Sequence, residues 1–246
     1  MRKLIRYELH KLFRQKSFYI CSAVIILLPL IFLAALKYTS YRTGDNPDIT
    51  GWAFASTVVS NSSFVMILGI FIPLFVCEDF DQGILKNIFA KGYGRGRVYV
   101  SKYIVTLFGT GLMFVATHAA SFVLASILWK PGSVGNNPEL IISQGLVLIS
   151  YHAFYFALAI ILGRTGGSIA MGIILPIMVN LLLLLADSLT RFKKLHFVDC
   201  WIDSFLNTAG NGDLSFKKHA LAVVYAAIYT VVLFLLGLTF HRRKQV

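Results

Sequence analysis

A chain of 246 residues that is 57% hydrophobic and 14% charged, with a mean hydropathy of +0.72, is not an ordinary soluble domain. Its net charge of +12 would suit nucleic acid in a soluble protein, but between long apolar runs it reads as basic flanks of membrane spans. Cys21, Cys77 and Cys200 are widely spaced and form neither a disulfide framework nor a metal-ligand cluster.

Residues 1–16 come first. At about 100° per residue, Leu4, Ile5, Leu9, Leu12 and Phe13 fall on one side of a helix, and Lys3, Arg6, His10 and Arg14 on the other. This pattern predicts a helix lying in the membrane interface, its cations toward anionic headgroups. Six apolar runs follow, at about 18–38, 55–77, 101–129, 139–162, 167–187 and 220–240, each near the length that crosses a bilayer. The first is expected to be a permanent span, not a cleaved signal. The expected fold class is an all-α integral membrane protein, one transmembrane domain over residues 1–246. Its parts are six transmembrane helices, the N-terminal interfacial helix and a short helix near 80–91. With the N-terminus inside, most of the 23 Lys and Arg lie on the inner side, so both termini are expected in the cytoplasm.

Pro29, Pro73 and Pro176 interrupt spans one, two and five, and Ser168 with Gly172 forms a small-xxx-small pair suited to close helix contact. Residues 78–102, EDFDQGILKNIFAKGYGRGRVYVSK, are the longest charge-rich stretch between two apolar runs. Glu78, Asp79 and Asp81 are expected to open a new helical segment, where acids favour the N-terminal dipole. Ile84, Leu85, Ile88 and Phe89 then share one face, with Lys86 and Asn87 between them. Gly92, Gly94 and Gly96 end the helix, Arg95 and Arg97 follow, and Lys102 stands at the mouth of the third span. The glycines are not a phosphate loop: no strand precedes them and no Gly-Lys-Ser/Thr closes the segment. Further along, 188–219 is an outer loop in which Phe192, Phe197, Trp201 and Phe205 cover one side of a broken helix near Asp199 and Asp203. It predicts a re-entrant or surface-lying helical hairpin.

The spans hold no Lys, Arg, Asp or Glu well inside the membrane, and Asp187 lies at a span end. His118 and His152, with Asn61, Gln144 and Asn180, are the candidate polar groups along a substrate path. The missing mid-membrane carboxylates count against an ion-coupled secondary transporter, which stands as the alternative beside a non-transporting membrane anchor. No His-Glu-x-x-His, paired carboxylates or Ser/His/Asp set occurs in the runs, so no catalytic residue or metal site is expected.

The acid at the end of span two, the order Gly83, Lys86, Asn87, Gly92, Arg95 and the Lys102 that opens span three resemble the type-2 ABC exporter permeases. The likeness is greatest to the small six-span group that includes bacitracin-export and lantibiotic-immunity permeases. Ile84 stands where that family usually has Thr, and Gly94 where it has Ser. The resemblance takes in the interfacial helix, the six spans and the basic tail Phe240–Lys244. It implies a coupling helix at about 80–91, seated in a groove of a separate cytoplasmic ABC ATPase, with Glu78, Asp79, Gly83, Lys86, Asn87, Gly92 and Arg95 in or beside that contact. It also implies a second permease chain, in a homo- or heterodimer, in a bacterial plasma membrane. The cargo it implies is an amphipathic peptide, antibiotic or lipid-like molecule, as in antibiotic resistance or immunity. This chain has no Walker A sequence and binds no cofactor of its own on this reading. ATP and Mg would sit on the partner ATPase.

Overall fold

The computed structural model describes residues 1–44, 49–58, 62–135, 137–190, 197–210 and 216–243. Among them every regular element is helical. Helix α1 is Arg2–Arg14, and α2, Lys16–Thr43, follows after Gln15 alone. Next come α3 (Gly51–Thr57), α4 (Ser62–Asp81), α5 (Ile84–Ala90) and α6 (Arg95–Leu128). The chain continues with α7 (Asn137–Leu162), α8 (Thr165–Thr190), a 3-10 turn at Phe197–Cys200, α9 (Ile202–Gly210) and α10 (Phe216–Arg243).

Helices α2, α6, α7, α8 and α10 are long and apolar enough to cross a membrane. Helix α4 falls outside that set. It is apolar as far as Cys77, but its last turn carries Glu78, Asp79 and Asp81. The second expected span, 55–77, also starts later than its hydropathy suggests. Residues up to Thr57 belong to α3, where the Thr50 side chain accepts from the Ala53 N–H and caps the helix. Helix α3 packs on α6, with Gly51 against Phe122 and Ser126 so closely that a side chain there would collide. The helices run on through Pro29, Pro73 and Pro176.

Helices α4 and α7 form the centre. Leu68, Phe71, Ile72, Phe75 and Val76 of α4 are fully buried, as are Val147, Phe156, Ala159 and Ile160 of α7. Helices α10, α9 and α8 surround α7, while α2 and α6 close over α4. The small-residue pair on α8 meets this centre. Ser168 Oγ lies 3.5 Å from Cys77 Sγ, and Gly172 lets α8 approach the Gly69 carbonyl and the Tyr155 ring. By contrast, α2, α8 and α10 leave rows of large apolar side chains uncovered. Ile20, Val24 and Leu27 on α2 and Ile177, Leu181 and Leu185 on α8 are examples. Such rows are costly in water and neutral in hydrocarbon.

The expected hairpin in 188–219 falls partly outside the described residues, Phe192 included. Its described part, α9, buries Ile202, Phe205, Leu206 and Ala209 against α7 and α10. Tyr151 of α7 donates its hydroxyl to Asp203 of α9, and Trp201 stands edge-on to Phe154.

Candidate functional site

The charge-rich segment folds differently from its simplest reading. Glu78, Asp79 and Asp81 do not start a helix; they form the last turn of α4. Gly83 takes a left-handed conformation at φ 66°, which breaks the chain direction, and α5 begins at Ile84 with no acid in its first turn. Helix α5 ends at Ala90. Gly92, at φ 81°, turns the chain again, and Gly94 is the N-cap of α6. Arg95, Gly96 and Arg97 are therefore the first turn of α6, not a loop.

Three acids at a helix C-terminus oppose its dipole, so they need partners. All three have them. Asp79 is fully buried and receives both Lys102, from α6, and Lys11, from α1, the latter at 2.6 Å. Lys102 is itself fully buried and reaches the buried carboxylate of Glu8, from α1, at 2.8 Å. Glu78 is half-exposed and meets Lys11 at 3.0 Å and the Gln15 side-chain amide at 3.1 Å. Asp81 accepts the Thr165 hydroxyl at the start of α8. Lys11 also donates to the Phe75 carbonyl at 3.1 Å. The end of α4 is thus a knot that fastens α1, α6 and α8 together.

Asp79 has two ammonium partners and Glu8 has one. Burial raises the Glu8 carboxyl above the usual range, against the pull of Lys102. Folding therefore favours its protonated form. The stability this adds is full below the ordinary carboxylate range and is lost as pH rises through the raised value. The melting temperature of Glu8→Gln, relative to the unmodified chain, is expected to be higher at about pH 8 than at about pH 5. An equal difference at both would contradict that.

Helix α5 hangs below this knot. Leu85 is fully buried against Leu4 of α1 and Val98 of α6, with Ile88, Phe89, Phe80 and Tyr93 around them. Lys86 and Asn87 are on the outer side and exposed, and so is Gly92. Arg95 lies over the Phe89 ring and donates to the Arg242 carbonyl at 2.9 Å, so the end of α10 joins the assembly. His241, buried, stands beside Phe80, Phe89 and Tyr99. Of the seven residues expected at the contact, Lys86, Asn87 and Gly92 face outward, while Glu78, Gly83 and Arg95 are half-covered. Asp79 lies inside.

The polar candidates in the spans separate into unlike sites. His152 is fully buried between Thr106 and Thr110 of α6, 3.2 Å from each. The Thr106 hydroxyl hydrogen-bonds His152 Nε2 and the Thr110 hydroxyl hydrogen-bonds Nδ1, so both ring nitrogens are satisfied from α6. His152 is a pin between α6 and α7. His118 donates from Nδ1 to the Phe114 carbonyl at 2.8 Å and lies beside Gln144, whose amide reaches the Ser56 carbonyl of α3. Asn180 is half-buried on α8, and Asn61 lies outside the described residues. Among the described residues no three His, Cys, Asp or Glu side chains are placed to hold a metal.

A profile described as "ABC-2 family transporter protein" matches residues 4–187, which spans α1, the whole knot, α5 and the helices through most of α8. The chain belongs to that family. No curated protein gives a significant match. Family membership makes the chain the membrane component, or permease, of an ABC transporter and implies association with an ABC ATPase. It also gives the uncovered apolar rows of α2, α8 and α10 a multi-pass membrane setting.

Glu8 and Lys11 were not among the candidates read from the sequence, yet the ABC-2 permease buries one and half-buries the other at the knot. A local signal for Glu8 exists: at helical spacing it falls between Leu4 and Leu12, inside the apolar face of α1. A carboxylate there needs a buried partner, but nothing local says that the partner is Lys102.

Proposed function

We propose that this permease is half of the membrane unit of an exporter, and that α5 is the coupling helix through which a separate ATPase drives it. The observation that carries this reading is the placement of α5. It is a short helix with one buried face, tied to the ends of α4, α6 and α10, and with Lys86 and Asn87 presented outward. A groove on the ATPase would receive that outer side. ATP and Mg bound by two ATPase subunits would draw them together, and each α5 would pull the helices above it between inward- and outward-facing arrangements.

On this reading α4 is the sixth span, its acids neutralised at the membrane boundary, and both termini are cytoplasmic. A second permease chain covers part of the exposed apolar surface of α2 and α8. The cargo is amphipathic, a peptide, antibiotic or lipid-like molecule leaving a bacterial cell. Among the described residues the charged groups of the knot close on one another and offer no mid-membrane relay, which favours ATP-driven transport over ion coupling.

Co-purification with candidate ATPases tests the proposal. Gly83 has open space around it but a positive φ, so Gly83→Trp strains the turn and puts a bulky ring beside the docking face. Glu78→Lys reverses a half-exposed charge next to Lys11. Both are expected to weaken ATPase association and ATP-driven transport while the chain remains in the membrane. Unaltered complex and transport in both would refute the coupling role.

A further inference from the structure

Helix α1 is amphipathic, but apart from Phe13 its apolar side is turned into the protein. Leu4 and Leu12 are buried in the protein, Leu4 against Leu85 and Val98, and Leu12 against Gly109. Glu8 and Lys11 lie on that same inward side and hold α1 to α4 and α6. What α1 presents outward is its other face. Lys3, Arg6, His10 and Arg14 are all exposed there, with Tyr7 and Phe13 beside them and no acid among them. This face is continuous with apolar surface on α2. The Tyr19 hydroxyl donates to the Phe13 carbonyl at 2.9 Å, the Phe13 and Phe18 rings are in edge contact, and Tyr19 and Ile20 are uncovered.

We propose that the outward face of α1 is a binding surface for anionic phospholipid headgroups. Clustered Lys and Arg at the end of a membrane span attract anionic headgroups. Aromatic side chains at the same level belong to the membrane–water boundary. The direct passage from Phe13 to the exposed apolar side of α2 selects a lipid surface over an acidic protein surface: headgroups lie against the cations while their chains follow α2. Because the inward side is pinned by Glu8 and Lys11, α1 does not roll to insert its leucines. Attachment is therefore electrostatic and salt-sensitive, unlike that of a helix that buries its apolar face in the bilayer. The inference rests on the orientation proposed above, in which α1 lies at the cytoplasmic leaflet.

The test uses the full chain without any ATPase, so that its failure is distinct from failure of the coupling role. The chain is purified in neutral detergent with equal phosphatidylglycerol and phosphatidylcholine, and retained lipid is counted by native mass spectrometry at low and high salt. The unmodified chain is expected to retain phosphatidylglycerol in preference, and the preference should shrink with salt. Removing three charges in Lys3→Gln, Arg6→Gln, Arg14→Gln should cut it by on the order of a hundredfold at low salt, about fivefold per residue. The charge-conserving set Lys3→Arg, Arg6→Lys, Arg14→Lys should restore it, which separates charge from folding. Equal retention by the neutral variant, or a preference indifferent to salt, overturns the proposal.

Discussion

Lys102→Met is expected to leave little folded permease in the membrane. The substitution keeps the length of the side chain and removes the one ammonium that both Glu8 and Asp79 share. Those two carboxylates are then left buried, with Lys11 pairing Asp79 but not Glu8. Breaking a buried pair by removing one partner costs about 3–5 kcal/mol, a large fraction of the stability of most proteins. The same physics predicts rescue. Replacing the buried triad as a whole, in Lys102→Met with Glu8→Met and Asp79→Leu, removes its charges together while Lys11 keeps Glu78, and replacing buried ion pairs by apolar residues is often neutral. Thermal unfolding in detergent, followed by the temperature at which the chain aggregates, should therefore rank the unmodified chain and the triple variant together, well above Lys102→Met alone. If the single variant melts with the unmodified chain, the buried network is not what holds α1, α4 and α6 together.

Leu85→Ala is expected to separate folding from coupling. Helix α5 has seven residues, too few to be stable by itself, and Leu85 is its fully buried anchor. Large-to-small changes at such sites cost about 2–5 kcal/mol. Here the cost falls on the contact of α5 with Leu4 and Val98, while the centre built by α4 and α7 is untouched. The chain should still reach the membrane. Hydrogen exchange across 84–90 should rise, and ATP hydrolysis should continue with little transport. Conservative Leu85→Met should behave as the unmodified chain, since it nearly preserves volume. Protection of α5 unchanged in Leu85→Ala would show that it is held by something other than this cluster.

Much of this arrangement was legible in the sequence, and the reasons differ by element. The long spans are composition and length, and both are local, so α2, α6, α7, α8 and α10 lie close to where the apolar runs place them. The apolar face of α5 was legible because Ile84, Leu85, Ile88 and Phe89 repeat at helical spacing. The ends of helices were less so. Three acids within four residues suit a helix start better than a helix end, and it is Lys11 and Lys102, 68 and 23 residues away from Asp79, with Thr165 at Asp81, that reverse that preference. The same distance hid Glu8. The face of α1 was legible in part: Leu4 and Leu12 turn inward as their phase requires, while Phe13, placed on the same side, is exposed. Leu4 and Leu12 were expected to meet lipid and instead meet protein, because hydropathy does not distinguish one apolar partner from another.

Docking of α5 on an ATPase is probed most directly at Asn87, whose side chain is exposed on the outer side of that helix. A chain carrying Asn87→Cys, reconstituted with its ATPase and treated with a short thiol cross-linker, measures the contact directly. A permease–ATPase cross-link is expected, with a yield that changes when ATP and Mg are added, and no such product from a cysteine at exposed Tyr41, at the far end of α2. Cross-linking from Tyr41→Cys but not from Asn87→Cys, in a complex that still hydrolyses ATP and transports, would contradict that docking.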